Sequence, residues 1–259
     1  MTDPTPISAV DPPREVAGTR FRVEIVPETG STNADLISAA ARGERPGLVR
    51  VANHQTAGRG RLDRQWESAP GASLLVSVLL EPLAPEVIHR VVGAVALSLA
   101  EALRALVDAD VHIKWPNDLV VGDRKLAGVL AESAVAGGEI RALVVGVGCN
   151  LTPDAIAPNY AATAIDVQTA TGRVCDRNAL LDAFLRRLDH RLGGLDHIDA
   201  DIAAQSATLG RRVLIELPDG TRTGVATAPL ASGALVVTDD DGVAHEIVVG
   251  DIVHLRHAD

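Results

Sequence analysis

KWPNDLVVGDRKLAGVLAE, residues Lys114 to Glu132, is the stretch on which the reading of the chain turns. Gly122-Asp123-Arg124 separates the apolar runs Leu119-Val120-Val121 and Leu126 to Ala131. A Gly-Asp pair between apolar runs supplies the positive φ that a tight strand reversal needs. The spacing predicts a β-hairpin carrying Lys114, Asn117, Asp118 and Lys125 on neighbouring strands. Cations on a rigid sheet suit a reaction in which negative charge develops on phosphate, because a scaffold set beforehand does not reorganise as charge shifts. These residues alone are also compatible with an ordinary surface hairpin.

The chain has 259 residues with 47% hydrophobic content, enough for one large domain and a small one. Lys+Arg 24 against Asp+Glu 34 gives a net charge of −10, which repels nucleic-acid phosphates and argues against DNA as a partner. Aromatic residues make up 2%, too few for a base-stacking platform. The longest apolar run, Val91 to Ala100, is far short of the roughly 20 residues of a membrane span, and the N-terminus lacks the basic start of a secretion signal. A cytoplasmic protein without a membrane partner is expected. Cys149 and Cys175 have no His or Cys neighbours at ligand spacing and read as small buried hydrophobes.

Residues 1–20 are rich in Pro, Asp and Thr and read as a flexible leader. Phe21 to Val26 alternates as a half-buried strand and leads into Gly30-Ser31-Thr32-Asn33, where Ser31 or Thr32 caps a helix over Asn33 to Arg42. The same hydroxyls can donate to a ligand, although capping explains them alone. Leu48 to Ala52 is the next strand. From His54 to Gly71 the chain reads HQTAGRGRLDRQWESAPG, without apolar period and too long for a simple connector. Gly58 and Gly60 allow close backbone approach to a phosphate, and Arg59, Arg61 and Arg64 supply forked donors for phosphate and carboxylate oxygens. Neither a P-loop nor a dinucleotide fingerprint is present.

Ser73 to Leu80 reads as a strongly apolar strand. Pro85 then starts a helix through Val107 with Val87, Val91, Val95, Leu99, Leu103 and Leu106 as the buried stripe and His89, Ser98 and Glu101 on the polar side. Ile140 to Val147 is a central strand ending in Gly146-Val147-Gly148-Cys149-Asn150, whose small residues leave room for a ligand. Asn150 reads either as a ligand contact or as a satisfied turn residue. A second amphipathic helix carries Leu180, Leu181, Phe184, Leu185 and Leu188, and a short helix starts at Ile202. Past Gly210, short strands at Val213–Leu217, Gly224–Ala226, Ala234–Val237 and Glu246–Val253 predict a small β-barrel.

Taken together, Gly30-Ser31-Thr32-Asn33, Gly58-Arg59-Gly60-Arg61, Lys114-Trp115-Pro116-Asn117-Asp118, Lys125-Leu126-Ala127-Gly128 and Gly146 to Asn150, in this order, resemble the biotin protein ligases. The resemblance runs from about Phe21 to the end. It implies an α/β (α+β) fold, with a mixed sheet backed by helices like that of class II aminoacyl-tRNA synthetases and an SH3-like β-barrel at the C-terminus. The division expected is 1–20 leader, 21–209 catalytic domain and 210–259 barrel. Only about twenty residues precede Phe21, so the short form without an N-terminal DNA-binding domain is expected. The family commonly continues its arginine loop as Gly-Arg-Gly-Arg-Arg-Gly-Arg, whereas this chain has Leu62-Asp63 before Arg64, one cation fewer and one anion more.

The resemblance further implies an adenylate-forming ligase that uses ATP, biotin and Mg²⁺ and serves biotin carboxyl carrier domains of acyl-CoA carboxylases. Lys125 lies where the family places its central lysine, and Lys125, Arg61 and Asp118 are the catalytic residues expected; Asp118 is the candidate for the Mg²⁺ side, or alternatively holds the incoming lysine or a neighbouring arginine. Biotin falls to Ser31, Thr32, Asn33, Gln55, Gly58, Arg59, Arg61, Lys125, Gly128 and Gly146, and to Gly148, with Val129, Leu130 and Val147 as apolar walls. The nucleotide falls to Arg61, Arg64, Trp66, Lys114, Asn117, Lys125 and Asn150, with Trp66 stacked on adenine. Arg59 closes the loop over the carboxylate side. A lipoate or octanoyl ligase on the same catalytic fold is the nearest alternative, and a non-catalytic biotin sensor is an alternative of another class.

Overall fold

The computed structural model describes residues 13–62, 64–136, 139–217, 220–229, 232–248 and 251–254. The first sheet has eight strands: β1 (Arg14–Glu15), β2 (Arg22–Thr29), β3 (Leu48–Gln55), β4 (Ser73–Leu80), β5 (His112–Lys114), β6 (Asp118–Val121), β7 (Arg124–Ala136) and β8 (Glu139–Asn150). Their order is β1-β2-β3-β4-β8-β7-β6-β5, with β2 and β3 parallel and the other pairs antiparallel. The one parallel pair needs a crossover. Helix α1 (Thr32–Ala41) provides it, started by Ser31, whose side chain accepts from the Ala34 amide.

The two faces of the sheet are buried differently. On one side Val76 and Val78 of β4, Ala127 and Val129 of β7, and Val145 and Val147 of β8 pack against α2 (Ile88–Val107) and α3 (Arg177–Leu192). On the other side Leu36 of α1 packs on Leu48, Leu79, Ala134 and Val144. This alternation follows the two-residue period of a strand and fixes which residues of β7 and β8 can face a ligand. Phe184 and Leu99, both fully buried, join the helices to the sheet.

Arg212–Leu217 (β9), Gly220–Pro229 (β10), Leu235–Thr238 (β11), Ala244–Ile247 (β12) and Asp251–His254 (β13) form a separate antiparallel sheet ordered β12-β11-β10-β9-β13. Its core is Val213, Ile215, Ala226, Leu235, Val237, Ile247 and Ile252, against which Trp115 packs. Trp115 Nε1 also donates to the Gly233 carbonyl at 2.9 Å. Trp115, inside the organising stretch, is thus a strut between the sheets, and the Trp115-Pro116 peptide is cis.

Several expectations are corrected. The leader does not reach Arg20, because β1 pairs with β2, Val16 is buried, and Arg14 and Arg20 meet Asp182 and Asp189. Residues 1–12 lie outside the described residues. The helix proper begins at Ile88 after a 3₁₀ turn over Pro85–Val87, Leu106 is 41% exposed, and Ser98 is fully buried with its hydroxyl donating to Ala94 O. His89 is not on a solvated face: Gly233 (φ +83) sits on it, so that a Cβ there would lie 2.5 Å from His89 Cβ, and Nε2 stands 3.4 Å from Asp199. The short helix is α4 (Ile198–Ala204), which contains Ile202 rather than starting there, and the stretch Glu246–Val253 is split between β12 and β13. Among the described residues no helix is long and apolar enough to cross a membrane.

Phe184→Ala is expected to lower stability by about 3–5 kcal/mol, the range for emptying a phenylalanine site in a core. Urea unfolding followed by circular dichroism checks it, and a loss below about 1 kcal/mol would show that the helix layer does not depend on this ring.

Candidate active site

Between the α1 face of the sheet and the loop that follows β3 lies a cavity of about 820 Å³. Its floor is made by β7 and β8, where Gly128 pairs with Gly148 and Leu130 with Gly146. These positions need glycine, because a Cβ on Gly148 would lie 2.4 Å from the Trp66 ring and one on Gly146 would lie 2.3 Å from Asn33 Oδ1. The paired glycines let the indole lie flat on the sheet.

Lys125 reaches this face through a register shift. Leu119 of β6 pairs with Ala127, but the next residue, Val120, pairs with Lys125, so Leu126 is an extra residue in β7. Strict alternation from Ala127 and Val129 would aim position 125 into the helix-side core, and the extra residue reverses that parity. Leu126 and Ala127 are both buried in the core, while Lys125 lies over Gly128 on the cavity side. The backbone of Lys125 turns to a second segment, its N–H donating to Thr163 O at 2.8 Å and its C=O accepting from Ile165 N at 2.9 Å. Nζ stands 2.7 Å from Asp118 Oδ1 and 5.7 Å from the Trp66 ring centroid.

The loop after β3 begins at residue 56, since His54 and Gln55 belong to β3. It folds back as a narrow hairpin: Arg59 bridges Gln65, the Gly60 amide donates to Arg64 O at 2.7 Å, and the Trp66 amide donates to Gly58 O at 3.0 Å. Gly58 is forced, as a Cβ there would lie 2.3 Å from Trp66 O. At the tip Leu62 is 60% exposed with φ +55, a conformation that costs a non-glycine residue about 1 kcal/mol. Asp63 lies outside the described residues.

Polar groups around the cavity divide into those already committed and those that remain. Thr32 N donates to Gln55 Oε1 at 2.8 Å, and Thr32 Oγ1 lies 3.0 Å from the same oxygen. Asn33 is 4% exposed, with Nδ2 donating to Glu132 Oε2 and Leu130 O and Oδ1 accepting from Ser77 Oγ. Arg59 pairs with Glu132 Oε1 at 2.9 Å. Arg61 donates to Asn117 Oδ1 at 3.3 Å, and Asn117, in the turn between β5 and β6, donates to Val129 O at 2.6 Å. Asn150 Nδ2 donates to Ile165 O at 3.2 Å. Trp66 Nε1 is buried with no hydrogen-bond partner among the described residues.

Thus Ser31, Thr32, Asn33, Gln55, Arg59, Arg61, Arg64, Trp66, Lys114, Asn117, Asp118, Lys125, Gly128, Leu130, Gly146, Gly148 and Asn150 all border one cavity. Two expected wall residues are corrected: Val129 and Val147 border it, but their side chains belong to the helix-side core, so Leu130 alone of the three presents its side chain on the cavity face. Asn33 is a buried strut with its amide and carbonyl both engaged, and Arg59 faces a carboxylate of the chain itself. Six cations (Arg59, Arg61, Arg64, Lys114, Arg124, Lys125) against three carboxylates (Glu67, Asp118, Asp123) line the described rim, so a chain of net charge −10 is locally positive here. Cys149 is buried on the other face, and burial raises its thiol pKa far above the ordinary value, while that of Cys175 is pushed up to about 11. Neither is a nucleophile at neutral pH.

Sequence reasoning missed residues 155–164, from which Ala155, Ile156, Ala157, Tyr160, Thr163 and Ala164 border the cavity, and Ile252, contributed by the second sheet. The segment has no apolar period and no charge after Asp154; Pro153 and Pro158, each opening a 3₁₀ turn, were its one signal. Among the described residues no three His, Cys, Asp or Glu side chains gather as a metal cluster. Asp118 can offer a single oxygen, which suits a Mg²⁺ held mainly by nucleotide phosphates.

A sequence profile described as the biotin/lipoate A/B protein ligase family matches residues 29–150. The biotin--[acetyl-CoA-carboxylase] ligase of Mycobacterium tuberculosis is 36% identical over 254 residues, covering 93% of this chain and 92% of its own length. The enzyme of the same name from Paracoccus denitrificans is 34% identical over 83% of this chain and 93% of its own. The biotin protein ligase from Aquifex aeolicus in complex with biotin and ATP superposes with a TM-score of 0.76, covering 90% of this chain and 98% of that one at 27% identity.

Gly148→Ala is expected to displace the indole of Trp66 from the sheet. Comparing the tryptophan emission of the variant with that of a Trp115→Phe background isolates the Trp66 signal. An unchanged Trp66 spectrum in the Gly148→Ala, Trp115→Phe double variant would contradict the contact.

Proposed function

As the chain belongs to the biotin protein ligase family, we propose that it activates biotin with ATP and transfers the biotinyl group to biotin carboxyl carrier domains of acyl-CoA carboxylases. In the first half-reaction a biotin carboxylate oxygen attacks the α-phosphorus of ATP, forming the mixed anhydride biotinyl-5′-adenylate as the bond to pyrophosphate breaks. In the second, a carrier lysine amine attacks the anhydride carbonyl, an amide forms, AMP leaves, and the amine proton is lost to solvent or base.

The observation that carries this reading is the position of Lys125, turned out of the core by an extra strand residue and held between the glycine floor and the arginine loop. Two anions must meet in the first half-reaction. Unit charges about 4 Å apart at an effective dielectric near 20 interact by about 4 kcal/mol, so one fixed cation between them decides whether they approach. Arg61 and Arg64 hold phosphate oxygens, Trp66 offers its ring to adenine and its unpaired N–H to an acceptor, and Lys114, Asn117 and Asn150 border the nucleotide. Ser31, Thr32 and Gln55 meet the ureido group, for which Gln55 Nε2 is the donor left once Oε1 is engaged. Asp118 would hold Mg²⁺ together with the nucleotide phosphates, and that ion supplies charge neutralisation when bound. The loop over the cavity excludes water, which would otherwise hydrolyse the acyl-adenylate.

We read the first sheet with its helices, from β1 through residue 209, as the catalytic domain, and the second sheet, from residue 210 on, as an SH3-like barrel. The single apolar cluster inside the second sheet and the register shift in β10 at Ala226/Ala228, of the kind that bends a strand, support the barrel. A cytoplasmic location fits substrates that are cytoplasmic metabolites and enzymes.

Intact-mass measurement of a carrier domain incubated with this protein and ATP is expected to show one biotinyl adduct with biotin and none with lipoate; a lipoyl adduct alone would overturn the assignment. Arg64→Ala is expected to weaken retention of the adenylate about ten-fold, the scale of one hydrogen bond to a charged group. Filter binding of labelled intermediate at wild-type tightness would remove Arg64 from the site.

A further inference from the structure

Glu132 lies on the α1 face of β7 beside the site, and its two oxygens have different partners. Oε1 stands 2.9 Å from Arg59 of the loop, whereas Oε2 accepts from Asn33 Nδ2 at 2.8 Å. Asn33 cannot follow a moving partner, because its Nδ2 also donates to Leu130 O and its Oδ1 accepts from Ser77 Oγ at 2.6 Å. The carboxylate side chain is 18% exposed and sits on β7, the guanidinium side chain 52% exposed on the loop. The fixed member of the pair is therefore the acid, and the mobile one the base.

The polar path continues on the other side of Asn33. Ser77 Oγ lies 2.7 Å from Thr32 Oγ1, and the Thr32 amide donates at 2.8 Å to Oε1 of Gln55, the last residue of β3 before the loop. One hydrogen-bonded route thus ties the root of the loop at Gln55 and its rising limb at Arg59 to the same buried post. Arg59 in turn is bridged to Gln65, so a hold on one limb restrains the other.

We propose that Glu132 is a positioning residue for the reaction: through Arg59 it holds the arginine loop down over the cavity, placing Arg61 and Arg64 and retaining the acyl-adenylate. On this assignment Arg59 answers Glu132 rather than a substrate carboxylate, leaving Lys125 and Arg61 for the reacting anions. The retention part rests on the ligase reading above, while the latch itself does not.

The test uses the full chain without ligand. Hydrogen exchange of the amides of residues 58–66 is expected to accelerate about two- to five-fold in Glu132→Gln and equally in Arg59→Gln, the range a half-exposed ion pair supports. The double variant should be no faster than either single one, as two members of one contact are not additive. Exchange in β7 and β8 should stay as in the wild type. With biotin and ATP, the fraction of adenylate found free in solution should rise in the single variants by a similar factor. Unchanged exchange over 58–66 overturns the latch, as does acceleration spread evenly through β7 and β8, which marks a damaged sheet. A faster loop with no added release of adenylate overturns the retention role. If the wild type makes no adenylate, the ligase reading fails, and the exchange data alone then decide for or against the latch.

Discussion

One extra residue in β7 governs the site. Strand side chains alternate, and Ala127 and Val129 point to the helices, so a regular strand would drive the amine of residue 125 into an apolar core, where burying a charge is costly. Leu126 occupies that core position instead, and Lys125 emerges on the cavity face. The shift frees backbone groups of Lys125 from the β6 ladder, and residues 163–165 take both of them. A cation whose main-chain N–H and C=O are both held by one neighbouring segment, with its side chain against Asp118 and Trp66, is set in place before any substrate arrives.

The rest of the site follows from what must lie close to that cation. Gly128 and Gly148 have no side chains, and so Trp66 can rest on the sheet beside Lys125; Gly58 has none, and so the loop can turn tightly enough to bring Trp66 there. The acidic balance of the whole chain does not reach the cavity, because its described lining gathers six cations. Long-range charge and local charge thus have opposite signs, and the local one acts at hydrogen-bond distances where screening is weak.

Much of this geometry was legible in the residues. The Gly122 turn has φ +58, Ser31 caps α1, and Gly146 and Gly148 do make room at a strand end. The faces of β7 were not legible, since a register shift leaves no local mark in a run such as Lys125-Leu126-Ala127-Gly128; Val129 and Val147 suit a ligand wall by apolar character alone, but strand alternation turns them to the helices. Residues 155–164 contribute mainly backbone and small side chains, which carry no periodic signal. Trp115 shows the converse: a conspicuous residue within a chemistry-bearing stretch packs as a strut onto the second sheet, a role set by partners a hundred residues away.

The most direct test is the rate of biotin-dependent pyrophosphate release in Lys125→Ala against the wild type, with thermal unfolding measured on both. A fixed cation between two anions predicts a loss of about 100-fold or more, on the scale of removing one preorganised transition-state donor, with a similar melting temperature. Release at the wild-type rate from a folded variant would contradict the account.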